Sequence, residues 1–187
     1  MCFKKNHKHI VKLRFLVLPI FIVIVFACAS VPTKTYEETA SQWKSYKDVD
    51  KWMRSHFSFD MKRAKESSIG KSPPIPRSPE ETFKLKSGVC FDAAYFLKDV
   101  LNRIDPSYGA KVIKVEVRPF PTFFHDFVCS FNKEGNLFIM MQYGAIYSNM
   151  VGVHGPFNSL DEFKKYYESN HPRVKEGLKV VRVIYIE

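Results

Sequence analysis

The stretch GVCFDAAYFLKDVLNRI, residues 88–104, decides how the rest of the chain is interpreted. Its apolar residues recur at spacings of three and four, which predicts a helix with one broad buried face. Such a helix is stable in a protein only when a second apolar layer covers that face. The face consists of Val89, Ala93, Phe96, Leu97, Val100, Leu101 and Ile104.

The flanking sequence predicts where the second layer comes from. Upstream, an aromatic stripe predicts a helix over 35–57, and Ser78 caps a second, short helix. Residues 60–79, between these helices, are rich in Lys, Ser, Gly and Pro and predict a loop. Downstream, the apolar period changes to two, so helices are followed by a mainly antiparallel sheet, an α+β fold. Strands are predicted over 111–117, 123–131, 136–143 and 178–186, and a helix over 160–168.

The charge distribution excludes one class of function. The 187 residues carry 29 Lys and Arg against 19 Asp and Glu, a formal net charge of +10. Five of the basic residues lie within the first 27 residues, which hold no acid, so the other 160 residues carry an excess of +5. Because no stripe of Lys and Arg and no basic motif interleaved with aromatics occurs, we expect no nucleic-acid partner.

The amino-terminal residues have the features of an export signal. A basic start is followed by FLVLPIFIVIVFACASV, residues 15–31, which carries no charge and is shorter than the roughly 20 apolar residues of a membrane span. Val25-Phe26-Ala27-Cys28 resembles a bacterial lipobox, which implies a lipid on Cys28 and a location on the exported side of a membrane. A secreted soluble protein and an uncleaved membrane anchor are the alternatives. The predicted segments are a signal peptide over 1–27, a tether over 28–35 and a domain over 36–187.

Cys90 has the position of a nucleophile. It falls in the first turn of the 88–104 helix, where unpaired N–H groups and the helix dipole favour the reactive thiolate. Asp92 opposes this slightly, because a nearby negative charge disfavours a thiolate. Cys90 and Cys129 are too few for a disulfide scaffold and lack the spacing of a zinc cluster. The alternative is that Cys90 is an ordinary buried core residue.

A nucleophilic cysteine needs a base, and His125 is the best candidate. In the predicted strand 123–131, the alternation of side chains places His125 on the face that meets the Cys90 helix. The alternative is a core histidine without a catalytic role. His154 is a weaker candidate, predicted to lie in a loop. A bridge between Cys90 and Cys129 is disfavoured, because Cys129 lies about 13 Å along the strand from His125.

Two segments of the sequence are distinctive: Ser78-Pro79-Glu80-Glu81-Thr82-Phe83 and Lys86-Ser87-Gly88-Val89-Cys90-Phe91-Asp92-Ala93-Ala94-Tyr95-Phe96-Leu97. They resemble the bacterial transglutaminase-like cysteine peptidase superfamily. The resemblance implies a papain-like α+β core, a nucleophile at Cys90, a base at His125 and an acidic third residue on the next strand. In this sequence the third position falls on Gln142, whose amide can accept a hydrogen bond from an imidazole but carries no charge. Asp126 is the alternative third residue.

The register of the following hairpin decides which residue faces His125. A two-residue loop, Lys133-Glu134, places His125 opposite Gln142. A three-residue loop, Lys133-Glu134-Gly135, places His125 opposite Tyr143 instead. A bulge could restore Gln142 to the site, so the sequence leaves the register open.

These residues predict an exported, membrane-tethered thiol hydrolase, a peptidase, amidase or acyl transferase, that attacks amide bonds through Cys90 and His125. No cofactor and no metal is implied, and the location points to a polypeptide or a peptidoglycan peptide as the substrate. The alternative is a catalytically inactive domain of the same fold that serves as a binding or structural module in the cell envelope. A zinc site built from Cys90, His125 and a third ligand matches no common zinc spacing.

Overall fold

The structure is a computed structural model that describes residues 34–69, 75–118, 124–144, 148–175 and 177–186. The signal peptide over 1–27 and the lipid site at Cys28 lie outside these residues and stay predictions. Among the helices of the described ranges, none combines the length and the apolar character that crossing a membrane requires.

Helices and strands alternate in blocks along the chain, and every pairing in the larger sheet is antiparallel. The described helices are α1 (Tyr36–Ala40), α2 (Tyr46–His56), α3 (Met61–Ile69), α4 (Pro79–Leu85), α5 (Cys90–Ile104), α6 (Leu160–Asn170) and α7 (Pro172–Lys175). The strands are β1 (Ser58–Phe59), β2 (Ser87–Gly88), β3 (Lys111–Arg118), β4 (Phe124–Lys133), β5 (Asn136–Met141), β6 (Gly152–Phe157) and β7 (Lys179–Tyr185). Five strands form one sheet in the order β6-β5-β4-β3-β7, while β1 and β2 form a short parallel pair. The predicted α+β fold is confirmed.

The five-stranded sheet separates two apolar layers. One face packs against α5 and α2, and the opposite face packs against α6. Because successive side chains of a strand point to opposite faces, neighbouring residues of one strand belong to different cores. The α5 layer contains Ala93, Phe96, Leu97, Cys129, Phe131 and Met140, and the α6 layer contains Val115, Val128, Ile139, Phe163 and Tyr167.

The region before α5 differs from the prediction in two respects. The single helix predicted over 35–57 is two helices, because Asp48 accepts hydrogen bonds from the backbone N–H groups of Lys44 and Ser45 and starts α2 there. The loop predicted over 60–79 was wrong for α3. That helix is capped by Asp60, which accepts a hydrogen bond from the Arg63 N–H. Its apolar residues do not recur regularly enough for the sequence to predict a helix.

Strand β6 was not predicted, and His154, which was expected in a loop, lies within it. The imidazole of His154 donates from Nε2 to the Met150 carbonyl at 2.9 Å and accepts at Nδ1 from the Tyr166 hydroxyl at 2.7 Å. Both ring nitrogens are therefore engaged, Nδ1 in holding β6 to α6 and Nε2 in holding the turn before β6, which is a structural role.

Both registers expected for the β4–β5 hairpin are wrong. The loop has two residues, Glu134 and Gly135, and Lys133 pairs with Asn136. Both loop residues have positive φ, 54° and 81°, as the type I′ turns that suit two-residue hairpins require. The described pairing ends at Cys129 opposite Met140, so β4 continues past the end of its partner strand.

The start of α5 is fixed by close backbone packing. The Ser58 N–H donates to the Lys86 carbonyl and the Asp60 N–H to the Gly88 carbonyl, both at 2.9 Å. A Cβ at Gly88 would lie 2.7 Å from the Cβ of Asp92, a distance that real Cβ atoms do not reach. Glycine is therefore required two residues before Cys90 for steric reasons.

Gly88→Ala is expected to lower the free energy of unfolding by about 1–3 kcal/mol, because the new methyl group forces the first turn of α5 to move. Urea denaturation at neutral pH measures the change. Ser87→Ala is the matched control and is expected to change stability by less than about 1 kcal/mol. Equal stability of the two variants would contradict the steric argument.

Candidate active site

The first turn of α5 is held by the carboxylate of Asp92, which is completely buried. Its Oδ2 accepts from Arg63 Nε at 2.7 Å and from the Val89 N–H at 3.0 Å. Its Oδ1 accepts from Arg63 Nη2 and from the Arg77 N–H, both at 2.9 Å. One side chain thus ties α3, the segment before α4 and the start of α5 together.

A second ion pair extends this network. The Arg77 guanidinium donates to Asp60 Oδ2 at 3.0 Å and to the Ser87 carbonyl at 3.1 Å. The Arg63 guanidinium, besides its pairing with Asp92, lies over the Phe91 ring with its Cζ 5.3 Å from the ring centroid. The charge of Asp92, expected from the sequence to oppose a thiolate at Cys90, does raise the pKa of Cys90, as the smallest of the contributing causes, although Asp92 is paired with Arg63.

The Cys90 side chain is at the first position of α5 and is a free thiol, as is that of Cys129. Burial raises the pKa of the Cys90 thiol above its ordinary value, and the negative charge of Asp126 raises the pKa further. The backbone N–H groups of Phe127 and Phe91 donate to the sulfur and act in the opposite direction. Burial and the carboxylate outweigh these N–H groups, so the pKa of Cys90 is raised, opposite to the direction that its place at the start of a helix favours.

Asp126 is the carboxylate that faces Cys90. It is only 2% exposed, and it accepts hydrogen bonds from the Tyr167 hydroxyl at 3.1 Å, from Gln142 Nε2 and from the Cys90 thiol. Burial raises the pKa of Asp126 to about 6, although these hydrogen bonds lower it. A carboxyl group with this pKa exchanges a proton readily near neutral pH.

Gln142 contributes to this cluster through an unusual backbone conformation. It follows the last residue of β5 and has a φ of 61°, in the left-handed region. This turn brings its amide to Asp126. The structure therefore assembles three of the predicted site residues, Cys90, Asp126 and Gln142, at one point.

His125 lies one residue before Asp126 on β4, so the alternation of the strand places it on the face predicted for it, the α5 face with Phe127 and Cys129, and not on the face of Asp126. It pairs across the ladder with Glu116 on β3. Burial lowers the pKa of His125, the positive charges of Lys114 and Arg118 lower it further, and the charge of Glu116 acts against them. The predicted pairing of His125 with Cys90 stays a prediction.

The sequence analysis did not identify two residues of the site, Arg63, which binds Asp92, and Tyr167, which binds Asp126. Arg63 lay in a stretch interpreted as a loop. Tyr167 shares a helical stripe with Phe163 in α6, and its one signal was that a buried tyrosine needs a partner for its hydroxyl group.

A small cavity adjoins the Cys90 sulfur. Its volume is about 10 Å³, close to the space that one water molecule occupies. Its lining includes Phe59, Ala93, Leu97, Phe127, Met140 and Gln142 beside Cys90. Within the described ranges no three His, Cys, Asp or Glu side chains converge as a metal site would require, so the zinc interpretation has no set of ligands there.

Comparison with known families gives one match. A family model described as a transglutaminase-like domain matches residues 28–151, about two thirds of the chain. The matched range includes Cys90, Asp126 and Gln142 and ends before α6, which supplies Tyr167. No curated protein matches the sequence.

Asp92→Asn is expected to lower the free energy of unfolding by about 3–5 kcal/mol, because it leaves the Arg63 guanidinium without its buried counter-charge. Urea denaturation measures the loss. Asp161→Asn, an exposed acid in the first turn of α6, is the matched control and is expected to cost less than about 1 kcal/mol. A loss below about 1 kcal/mol for Asp92→Asn as well would show that the network does not hold the fold.

The raised pKa of Asp126 predicts a specific pH dependence of stability. Because the folded-state pKa of about 6 exceeds the ordinary value of about 3.9, the contribution of Asp126 to stability is complete below about pH 4 and is lost as the pH rises through 6. The advantage of the wild type over Asp126→Asn should therefore shrink by on the order of 2–3 kcal/mol between pH 4 and 7.

The comparison with Asp126→Asn removes the contribution of the histidines. Burial lowers the pKa of His171 to about 4, so His171 gives a slope of the opposite sign in the same pH range. That slope is common to both proteins and cancels in the difference. Denaturant titrations at intervals between pH 4 and 7 measure it, and a difference that does not change with pH would refute the assignment of a raised pKa.

Proposed function

The chain belongs to the transglutaminase-like domain family, and on that premise we propose that it is a thiol hydrolase that cleaves amide bonds with Cys90 as its nucleophile. One observation supports this most directly: the Cys90 sulfur lies at the start of α5, receives two backbone N–H groups and faces a buried carboxylate that titrates near neutral pH. Nucleophile and proton acceptor are thus adjacent.

In the proposed first step, the Cys90 sulfur attacks the carbonyl carbon of the amide while its proton passes to the Asp126 carboxylate. Proton transfer in the same step as bond formation avoids a free thiolate, which the raised pKa of Cys90 disfavours. Negative charge develops on the carbonyl oxygen, and the amino-terminal end of α5 stabilises it through the helix dipole.

In the second step, Asp126 returns the proton to the amide nitrogen, the C–N bond breaks and an amine leaves a thioester on Cys90. Water then attacks the thioester and gives its proton to Asp126, which passes it to the departing sulfur. The thiol and a free carboxylic acid result. Gln142 and Tyr167 hold the carboxylate in place through both steps by donating hydrogen bonds to it.

The family resemblance assigns the base to His125 instead. The two assignments differ in a measurable way, because the amide of Asp126→Asn cannot accept the proton, whereas His125→Ala leaves the cluster of Cys90, Asp126 and Gln142 intact. We propose Asp126 as the direct acceptor, because it is the group that the Cys90 thiol contacts.

The setting of the enzyme is part of the proposal. The lipobox-like residues before Cys28 support a lipid-anchored protein on the exported side of a membrane. A protein in that location meets cell-envelope polypeptides and peptidoglycan peptides, which we propose as the substrate class.

A second function is favoured by the same electrostatics. The raised pKa of Cys90 and the uncharged Gln142 at the third position are features of a domain that binds a partner without cleaving it. We keep an inactive binding or structural module of the cell envelope as the second candidate.

Cys90→Ala and Cys129→Ala form a matched pair for the test, since each removes one thiol from the domain and only Cys90 lies in the site. Hydrolysis of a library of envelope-type peptides should fall by at least about 10³-fold in Cys90→Ala and change little in Cys129→Ala. Hydrolysis that is equal in both variants would refute the nucleophile, and binding of a partner that survives in Cys90→Ala without any turnover would favour the binding module.

The same assay separates the two bases. With Asp126 as the acceptor, Asp126→Asn should lose about 10²–10⁴-fold in kcat and His125→Ala less than about tenfold. The reverse order of losses would assign the role to His125.

A further inference from the structure

Near the start of α5, the side chains of β3, β4 and β7 on one face of the larger sheet carry an excess of positive charge. Antiparallel pairing places side chains in rows that share this face. Phe127 lies opposite Lys114, His125 opposite Glu116, and across β3 the same rows continue to β7. The side chains that pair across β3 and β7 on this face are Lys114 with Ile184, Glu116 with Arg182 and Arg118 with Lys179.

Among the described residues of β3, β4 and β7 on this side, Glu116 is the single acid. It pairs with Lys114 Nζ at 2.9 Å and with Arg182 Nη2 at 3.0 Å, and these two cations hold the pKa of Glu116 down at about 2. The described strand side chains on this face therefore carry a formal excess of positive charge. We call the four residues Lys114, Arg118, Lys179 and Arg182 the basic face.

The basic face adjoins the nucleophile. Phe127, which pairs with Lys114, lines the cavity at the Cys90 sulfur and donates its backbone N–H to that sulfur. The lowered pKa of His125, to which Lys114 and Arg118 contribute, is a second sign that their positive field reaches the middle strand. A substrate laid along the sheet toward Cys90 passes through this field.

We propose that the basic face binds an acidic peptide segment, so that the amide bonds cleaved at Cys90 are those flanked by carboxylate side chains or a free carboxylate. This specificity rests on the proposed hydrolase function. Arginine and lysine recognise carboxylates through charge-assisted hydrogen bonds, and the extended strands β3 and β7 present them at the spacing of an extended chain.

A pair of alkylating reagents that differ only in charge tests the field at Cys90. Iodoacetate is anionic and iodoacetamide is neutral, and peptide-resolved mass spectrometry gives the rate of each at Cys90 in the full chain. A change in the thiol pKa alters both rates equally, so their ratio reports the field on an incoming anion. The measurement requires no turnover, and therefore it separates failure of this inference from failure of the proposed hydrolase.

At low ionic strength, the ratio of iodoacetate to iodoacetamide rates should fall about twofold in Lys114→Gln and again in Arg182→Gln, and it should rise in Glu116→Gln. Raising the salt to 0.5 M should remove most of the difference. Lys47→Gln, an exposed lysine on α2, is the matched control and should leave the ratio unchanged. Equal ratios in the wild type, Lys114→Gln and Arg182→Gln would overturn the proposal.

The identity of the ligand is tested by direct binding to the Cys90→Ala protein. A tetraglutamate peptide should bind more tightly than the same peptide with its carboxylates amidated, and Arg182→Gln should reduce that preference. Tighter binding of a single-stranded oligonucleotide than of the tetraglutamate peptide would overturn the assignment to an acidic peptide.

Discussion

At the first turn of α5, one buried carboxylate accepts four hydrogen bonds from three separate segments of the chain, and the position of the Cys90 side chain depends on it. Asp92 satisfies the Val89 N–H at the start of the helix and neutralises Arg63 from α3. Because α3 has only a weak apolar stripe, its ion pair with Asp92 is a main tie between α3 and the rest of the domain. The close contact of Gly88 with Asp92 then fixes where the helix begins and where the Cys90 sulfur lies.

The site combines groups from the two apolar layers because the pairing between β4 and β5 ends beside it. Cys90 comes from the α5 layer and Tyr167 from the α6 layer, and both reach Asp126 where β4 extends past the pairing with β5. Gln142 closes the gap by leaving the strand in a left-handed conformation. A paired strand at this position would keep the two faces apart, so the short β5 is what allows a thiol and a carboxylate of opposite layers to meet.

Periodicity in the sequence predicted the elements that bury apolar faces, and it predicted Cys90 at the start of α5. It did not predict α3, whose stability comes from the ion pair of Arg63 with Asp92 rather than from an apolar face. Periodicity also could not predict the hairpin register, because Glu134 has a positive φ, which a glutamate does not lead one to expect. The shift in register decided the site: Asp126, the lesser candidate, meets Cys90, and Gln142 binds Asp126 in place of an imidazole.

A carboxylate beside a thiol opposes the thiolate, yet the same contact supplies what a neutral thiol needs for attack. In the proposed mechanism, the Asp126 carboxyl group, whose pKa burial raises to about 6, accepts the proton at neutral pH and then acts as the acid that protonates the leaving amine. A preformed thiolate would react faster with electrophiles in general, including oxidants. In the mechanism we propose, the buried pair keeps Cys90 protonated until a carbonyl carbon is in place, so that reactivity would depend on the substrate, and the positive field of the basic face would select which substrates arrive.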